Sequence, residues 1–76
     1  MSFAKEIKEI RQKCFLSQNA FANELGVSFS TVNRWETGKT IPNCMKRIVD
    51  FCKGQDIDYH LADEAWKESR NDIYSH

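Results

Sequence analysis

Nowhere does this sequence hold an apolar run approaching the ~20 residues that a membrane helix needs. Proline occurs once, at position 42, and glycine three times, at 26, 38 and 54. There is no Pro/Gly-rich linker, internal repeat or low-complexity tract, which excludes a string of domains, a fibrous chain and a disordered one. The opening MSFAKEIKEI has charges where a secretory signal needs an apolar stretch. Cysteine is present three times, at 14, 44 and 52, an odd number that does not form a closed disulfide framework. Reduced thiols in a cytoplasmic protein are therefore expected. Net charge is also absent, the formal sum being zero.

What remains is a 76-residue chain with 41% apolar and 29% charged residues, the composition of one small globular domain. A domain of this size has little room for a deep catalytic cleft, so a binding module is favoured over an enzyme. The zero net charge conceals a polarity along the chain. Residues 1–54 hold nine Lys/Arg against five Asp/Glu, a balance of +4, whereas residues 55–76 hold two against six, a balance of −4. A basic body with an acidic tail can accompany nucleic-acid binding, although charged runs are also ordinary solvated faces.

Helical signals recur along the chain and strand signals do not. Ser2 is an N-cap type, and Phe3, Ile7, Ile10 and Cys14 follow at spacings of one helix face. Ser17 precedes a second helix with Phe21, Ala22 and Leu25 as its stripe, stopped by Gly26. Ser28 precedes a third, running to about Glu36 and closed by Gly38. Pro42 holds Ile41 out of helical geometry, and Asn43 can cap a fourth helix that carries Met45, Ile48, Val49 and Cys52 and ends at Gly54. A fifth is expected from about Asp58 to Arg70 on Leu61, Ala65 and Trp66, with the last six residues frayed. The expected fold is all-α, a compact bundle of four to five short helices. Residues 1–54 are its core, and residues 55–76 are an acidic helix or tail serving as a dimerisation element or linker.

Two short helices joined by a tight glycine turn, 17–25 and 28–36, are a helix-turn-helix pattern. The segment LSQNAFANELGVSFSTVNRWETGKTIP resembles the phage-repressor/Cro-like (Xre-type), lambda-repressor-like helix-turn-helix domain. The resemblance is carried by Leu16, Gln18, Ala22, Gly26-Val27-Ser28, Val32, Trp35-Glu36, Gly38-Lys39 and Pro42. With its flanking helices it covers roughly residues 3–60.

Advancing about 100° per residue from Phe29 puts Asn33 near 40°, Ser30 near 100° and Arg34 near 140°. Val32 and Trp35 fall on the opposite, inner arc. The outer arc suits base edges in a major groove: guanidinium for guanine, carboxamide for adenine, hydroxyl for either, phenyl for a thymine methyl. The resemblance maps base reading onto Ser28, Phe29, Ser30 and Arg34, with Asn33 a reader or a phosphate contact. The family often has Gln or another polar residue where Phe29 stands. Phe29 can instead pack against the first helix or a dimer partner, and Arg34 can be a solvated charge.

Phosphate contacts are expected from Ser17 and Gln18, at a helix start that favours anions, and from Thr37, Lys39 and Thr40 after the third helix. Ser17 can also serve simply as a cap. The resemblance further implies a partly buried, structural salt bridge between Arg11 and Glu36.

Other chemistries find no pattern. Cys44, Cys52 and His60 lack the close cysteine pair of a structural zinc site. Cys44 and Cys52 would lie ~12 Å apart on one helix, beyond disulfide reach. No phosphate loop, HExxH or nucleophile elbow is present, so no catalytic residue, metal or cofactor is expected. Tyr59 and Trp66 read equally as core and as a dimerisation surface. The function expected is sequence-specific binding of double-stranded DNA by a homodimeric transcriptional regulator, a repressor, on a pseudo-palindromic operator. Two rivals stand beside it: an antitoxin-like interaction module holding a protein partner through the acidic tail, and the DNA-recognition part of a larger restriction or modification protein.

Overall fold

A computed structural model describes residues 2–74, with side chains described through Arg70. Five helices follow one another: α1 (Phe3–Lys13), α2 (Gln18–Leu25), α3 (Phe29–Glu36), α4 (Lys46–Gly54) and α5 (His60–Tyr74). No strand occurs among the described residues, in agreement with the all-α expectation.

Serine opens each of the first three helices by accepting a backbone N–H of its first turn. Ser2 takes that of Lys5 at 3.4 Å, Ser17 that of Ala20 at 3.0 Å and Ser28 that of Thr31 at 3.2 Å. The exits are equally uniform. Phe15, Gly26, Gly38 and Asp56 all have positive φ, between 55° and 79°. After α2, the N–H of Gly26 bonds Asn23 and that of Val27 bonds Ala22. After α3, Gly38 bonds Trp35 and Lys39 bonds Arg34. The same pair of bonds follows α1, at Phe15 and Leu16, and α4, at Asp56 and Ile57. This is the Schellman arrangement, which satisfies carbonyls the helix leaves open. Four helices thus leave by the same turn, two of them without the glycine that usually takes that position.

The turn between α2 and α3 is pinned from outside. Arg47 of α4 donates Nη1 to the carbonyls of Leu25 and Gly26, at 3.2 Å each. A Cβ at Gly26 would stand 3.1 Å from that nitrogen. Glycine is favoured there by its φ of 71°, and a side chain would also press on the Arg47 guanidinium.

The core takes Phe3, Ile7 and Ile10 from α1 and Phe21, Ala22 and Leu25 from α2. Val32 and Trp35 of α3 join them, with Met45, Ile48 and Cys52 from α4 and its cap. Phe21 meets Phe51 edge-on, with ring centroids 5.5 Å apart. Helix α1 packs against α3 and α5, and α2 against α3 and α4, so α3 is held on two sides.

Three expectations are corrected. Asn43 does not cap α4: the cap position is Met45, in helical geometry without a side-chain bond, and the N–H of Lys46 meets the Cys44 thiol at 3.4 Å. Helix α5 starts at His60, where Asp58 accepts the backbone N–H, and continues to Tyr74 instead of fraying from residue 71; Ser75 and His76 lie outside the described residues. Its inward residues are Ala62 and Ala65, whereas Leu61 is 53% exposed. Small side chains face α1, and leucine is left outside. Trp66 is half-buried against the core; its indole N–H donates to the Pro42 carbonyl at 2.7 Å, under the Arg70 guanidinium.

Candidate nucleic-acid interface

Within α3 the two aromatics part company. Trp35 is buried beside Val32, while Phe29 keeps 49% of its surface exposed. Ser28, Ser30 and Arg34 are exposed as well, and Asn33 is half-buried between this outer face and α2. An uninterrupted strip of phenyl, hydroxyl, carboxamide and guanidinium therefore lies on one side of a helix anchored by its other side.

Beneath the strip runs a polar chain. Glu36 has a side chain only 3% exposed, and Arg11 binds both of its carboxylate oxygens: Nε to Oε2 at 2.8 Å and Nη2 to Oε1 at 2.9 Å. The remaining arm of Arg11, Nη1, donates to the Leu16 carbonyl at 2.8 Å, tying α1 to the approach of α2. Hydrogen bonding to Glu36 raises the affinity of the guanidinium for its proton, outweighing the opposing effect of burial. Gln18 then donates Nε2 to Glu36 Oε1 at 3.2 Å and accepts Asn33 Nδ2 on its own Oε1 at 3.3 Å. Arg11, Glu36, Gln18 and Asn33 are one continuous network. Ser17 caps α2 just before it.

Thr37, Lys39 and Thr40 gather around one atom. The Arg34 carbonyl accepts the Thr37 hydroxyl at 3.3 Å and the N–H groups of Lys39 and Thr40 at 2.9 and 3.4 Å. Thr37 is thereby committed to closing α3, its hydroxyl also meeting the Asn33 carbonyl at 2.9 Å. Lys39 and Thr40 are exposed, with side chains that no such bond occupies. Ser28 is similarly engaged, sharing a 2.9 Å bond with the Thr31 hydroxyl.

The expected site residues therefore fall into two linked groups. The start of α2 meets the outer face of α3 through Gln18 and Asn33, and the α3 exit meets it through the Arg34 backbone. Two roles escape a sequence reading. Gln18 faces inward as a bridge, and Arg47 fixes the turn. Pairing at sequence separations of 15 and of 21 or 22 depends on helix packing, which no local spacing encodes.

Comparison with known proteins bears on the segment that holds these groups. A family model described as Helix-turn-helix, of the Xre/lambda-repressor-like type, matches residues 7–43. Residues 7–43 thus carry a helix-turn-helix segment similar to this family. The matched segment runs from α1 through the α3 exit, so it contains both linked groups, and it is a DNA-binding fold. The chain is also similar to the type II methyltransferase M.SsoII of Shigella sonnei, 38% identical over 55 residues that cover 66% of this chain. It spans only 14% of that relative. No solved structure matches it. Among the described residues, no helix is long and apolar enough to cross a membrane, and no group of His, Cys, Asp and Glu is arranged to hold a metal ion.

Proposed function

We propose that this helix-turn-helix domain reads specific base pairs of double-stranded DNA and regulates transcription, as a repressor that occludes its site. The observation that carries this reading is the outer face of α3, where Phe29, Ser30 and Arg34 stand exposed on a helix whose inner face is buried. In the major groove Arg34 bonds guanine O6 and N7, Ser28 and Ser30 bond neighbouring base edges, and Phe29 covers a thymine methyl. Lys39 and Thr40 meet phosphates beyond α3, while Ser17 and the second N–H of Gln18 meet them at the start of α2. Thr37 joins them once its hydroxyl turns from the carbonyls it closes.

Residues 1–54, at +4, supply this surface. The acidic segment 55–76 is left for pairing with a second copy, a role that the exposed Leu61 on α5 supports. A homodimer of this kind reads two half-sites about one helical turn, ~34 Å, apart. Selection from a random duplex library tests the reading: a pseudo-palindrome with that spacing is the expected winner. Failure to enrich any sequence overturns it.

The similarity to M.SsoII favours a second reading, in which this domain is the DNA-recognition part of a longer modification protein. Enrichment of a single half-site without symmetry, by a monomer, would favour that reading over the dimeric repressor.

A further inference from the structure

We propose that Asn33 reads an adenine, and that Gln18 is the positioning residue that fixes which edge of its carboxamide faces the base. The proposal rests on the reading above, with α3 in the major groove, and adds to it a direction of hydrogen bonding.

The direction follows from Glu36. An ionised carboxylate only accepts hydrogen bonds, and both oxygens of Glu36 already receive N–H groups of Arg11. The part of Gln18 that faces Oε1 must therefore be its amide nitrogen, and its oxygen must point the other way. That oxygen is 3.3 Å from the Asn33 amide, so Asn33 must in turn present its nitrogen inward. At each step the acceptor leaves one amide orientation, so neither amide is free to flip. Asn33 Oδ1 has no partner among the described residues. No buried side-chain oxygen among the described residues lacks a partner, so Oδ1 reaches solvent.

Asn33 consequently shows the outside an acceptor, Oδ1, beside its one remaining N–H. A phosphate has only acceptors to offer in return, so this edge does not suit the backbone. Guanine also presents two acceptors in the major groove, O6 and N7. Adenine presents a donor, N6–H, beside an acceptor, N7, and matches both atoms. An unconstrained asparagine could turn its amide nitrogen to guanine; one held by Gln18 cannot.

The test compares the full chain with Asn33→Ala, Gln18→Met and the double variant, on the selected duplex and a panel carrying each single base-pair change. Thermal melts check that each variant is folded. At one adenine, the wild type should prefer A to G by roughly 5- to 150-fold, the range for one bidentate contact. Asn33→Ala and Gln18→Met should each reduce that ratio to a few-fold at this position alone, and the double variant should lose no more than Asn33→Ala. With unaltered protein, purine (lacking the N6 amino group) or 7-deazaadenine at this position should each cost part of what Asn33→Ala costs, one bond of the two, and should cost that variant nothing further. The proposal is overturned if Gln18→Met weakens A and G duplexes equally, or if Asn33→Ala leaves every base preference unchanged. A wild type that binds all duplexes alike overturns the underlying reading as well, which separates the two failures.

Discussion

Phe15 occupies left-handed backbone, at φ 58°, with 96% of its surface exposed. A side chain there crowds its own carbonyl, at about 1–2 kcal/mol, and burial returns almost nothing. Phe15→Gly should therefore raise unfolding stability by about 1 kcal/mol in urea titration; a loss would show that the ring packs in solution. Glu36 is the opposite case, a charge that the fold surrounds with donors. Replacing Arg11 with Met strands that carboxylate and should cost about 3–5 kcal/mol, measurable in the same titration. Cys52 offers a pH test. Burial pushes its thiol up to about 11 from an ordinary 9. The unfolded chain thus ionises first, so its contribution to stability is complete below pH 9 and falls away as pH rises from 9 through 11. Cys52→Ala should flatten that decline. The Arg11–Glu36 pairing is implied by family resemblance, whereas the Gln18–Asn33 link is not legible in the sequence, because it exists only once α2 and α3 are packed.

At the scale of the element, the serine caps and glycine turns of α2 and α3 are readable because each acts within four residues of itself. Ser28→Ala should destabilise the fold by about 1 kcal/mol through the lost bond to Thr31. The start of α4 is not readable in that way: Asn43 is a good cap by type, but the chain enters the helix through Met45 with the Cys44 thiol beside Lys46. Helix α5 misleads for a different reason. Hydropathy favours Leu61 as an inward residue, but the approach of α5 to α1 is lined by Ala62 and Ala65. Ala65→Leu should cost about 1–3 kcal/mol by overpacking, and a neutral result would mean that α5 is free to move away from α1.

Over the whole molecule, a face of α3 that the core does not need is supported from below by charge. The buried ion pair holds α1 to α3, Gln18 carries that restraint to α2, and Arg47 holds the turn between them. The outer face is then presented rigidly. The positive balance lies in residues 1–54 and the negative one in residues 55–76. Attraction to a polyanion thus belongs to the helix-turn-helix body, and binding should weaken as salt rises. Lys39→Ala should flatten the dependence of log affinity on log salt by about one unit, the contribution of a single phosphate contact. An unchanged slope would remove Lys39 from the contact surface.

The most direct measurement is the affinity of Arg34→Ala against wild type over every single base-pair variant of the selected duplex. Reading by α3 predicts a loss of about 1–3 kcal/mol on the best site, with preference relaxed at one G·C pair and retained elsewhere. Equal weakening on every duplex, with all preferences intact, would contradict it.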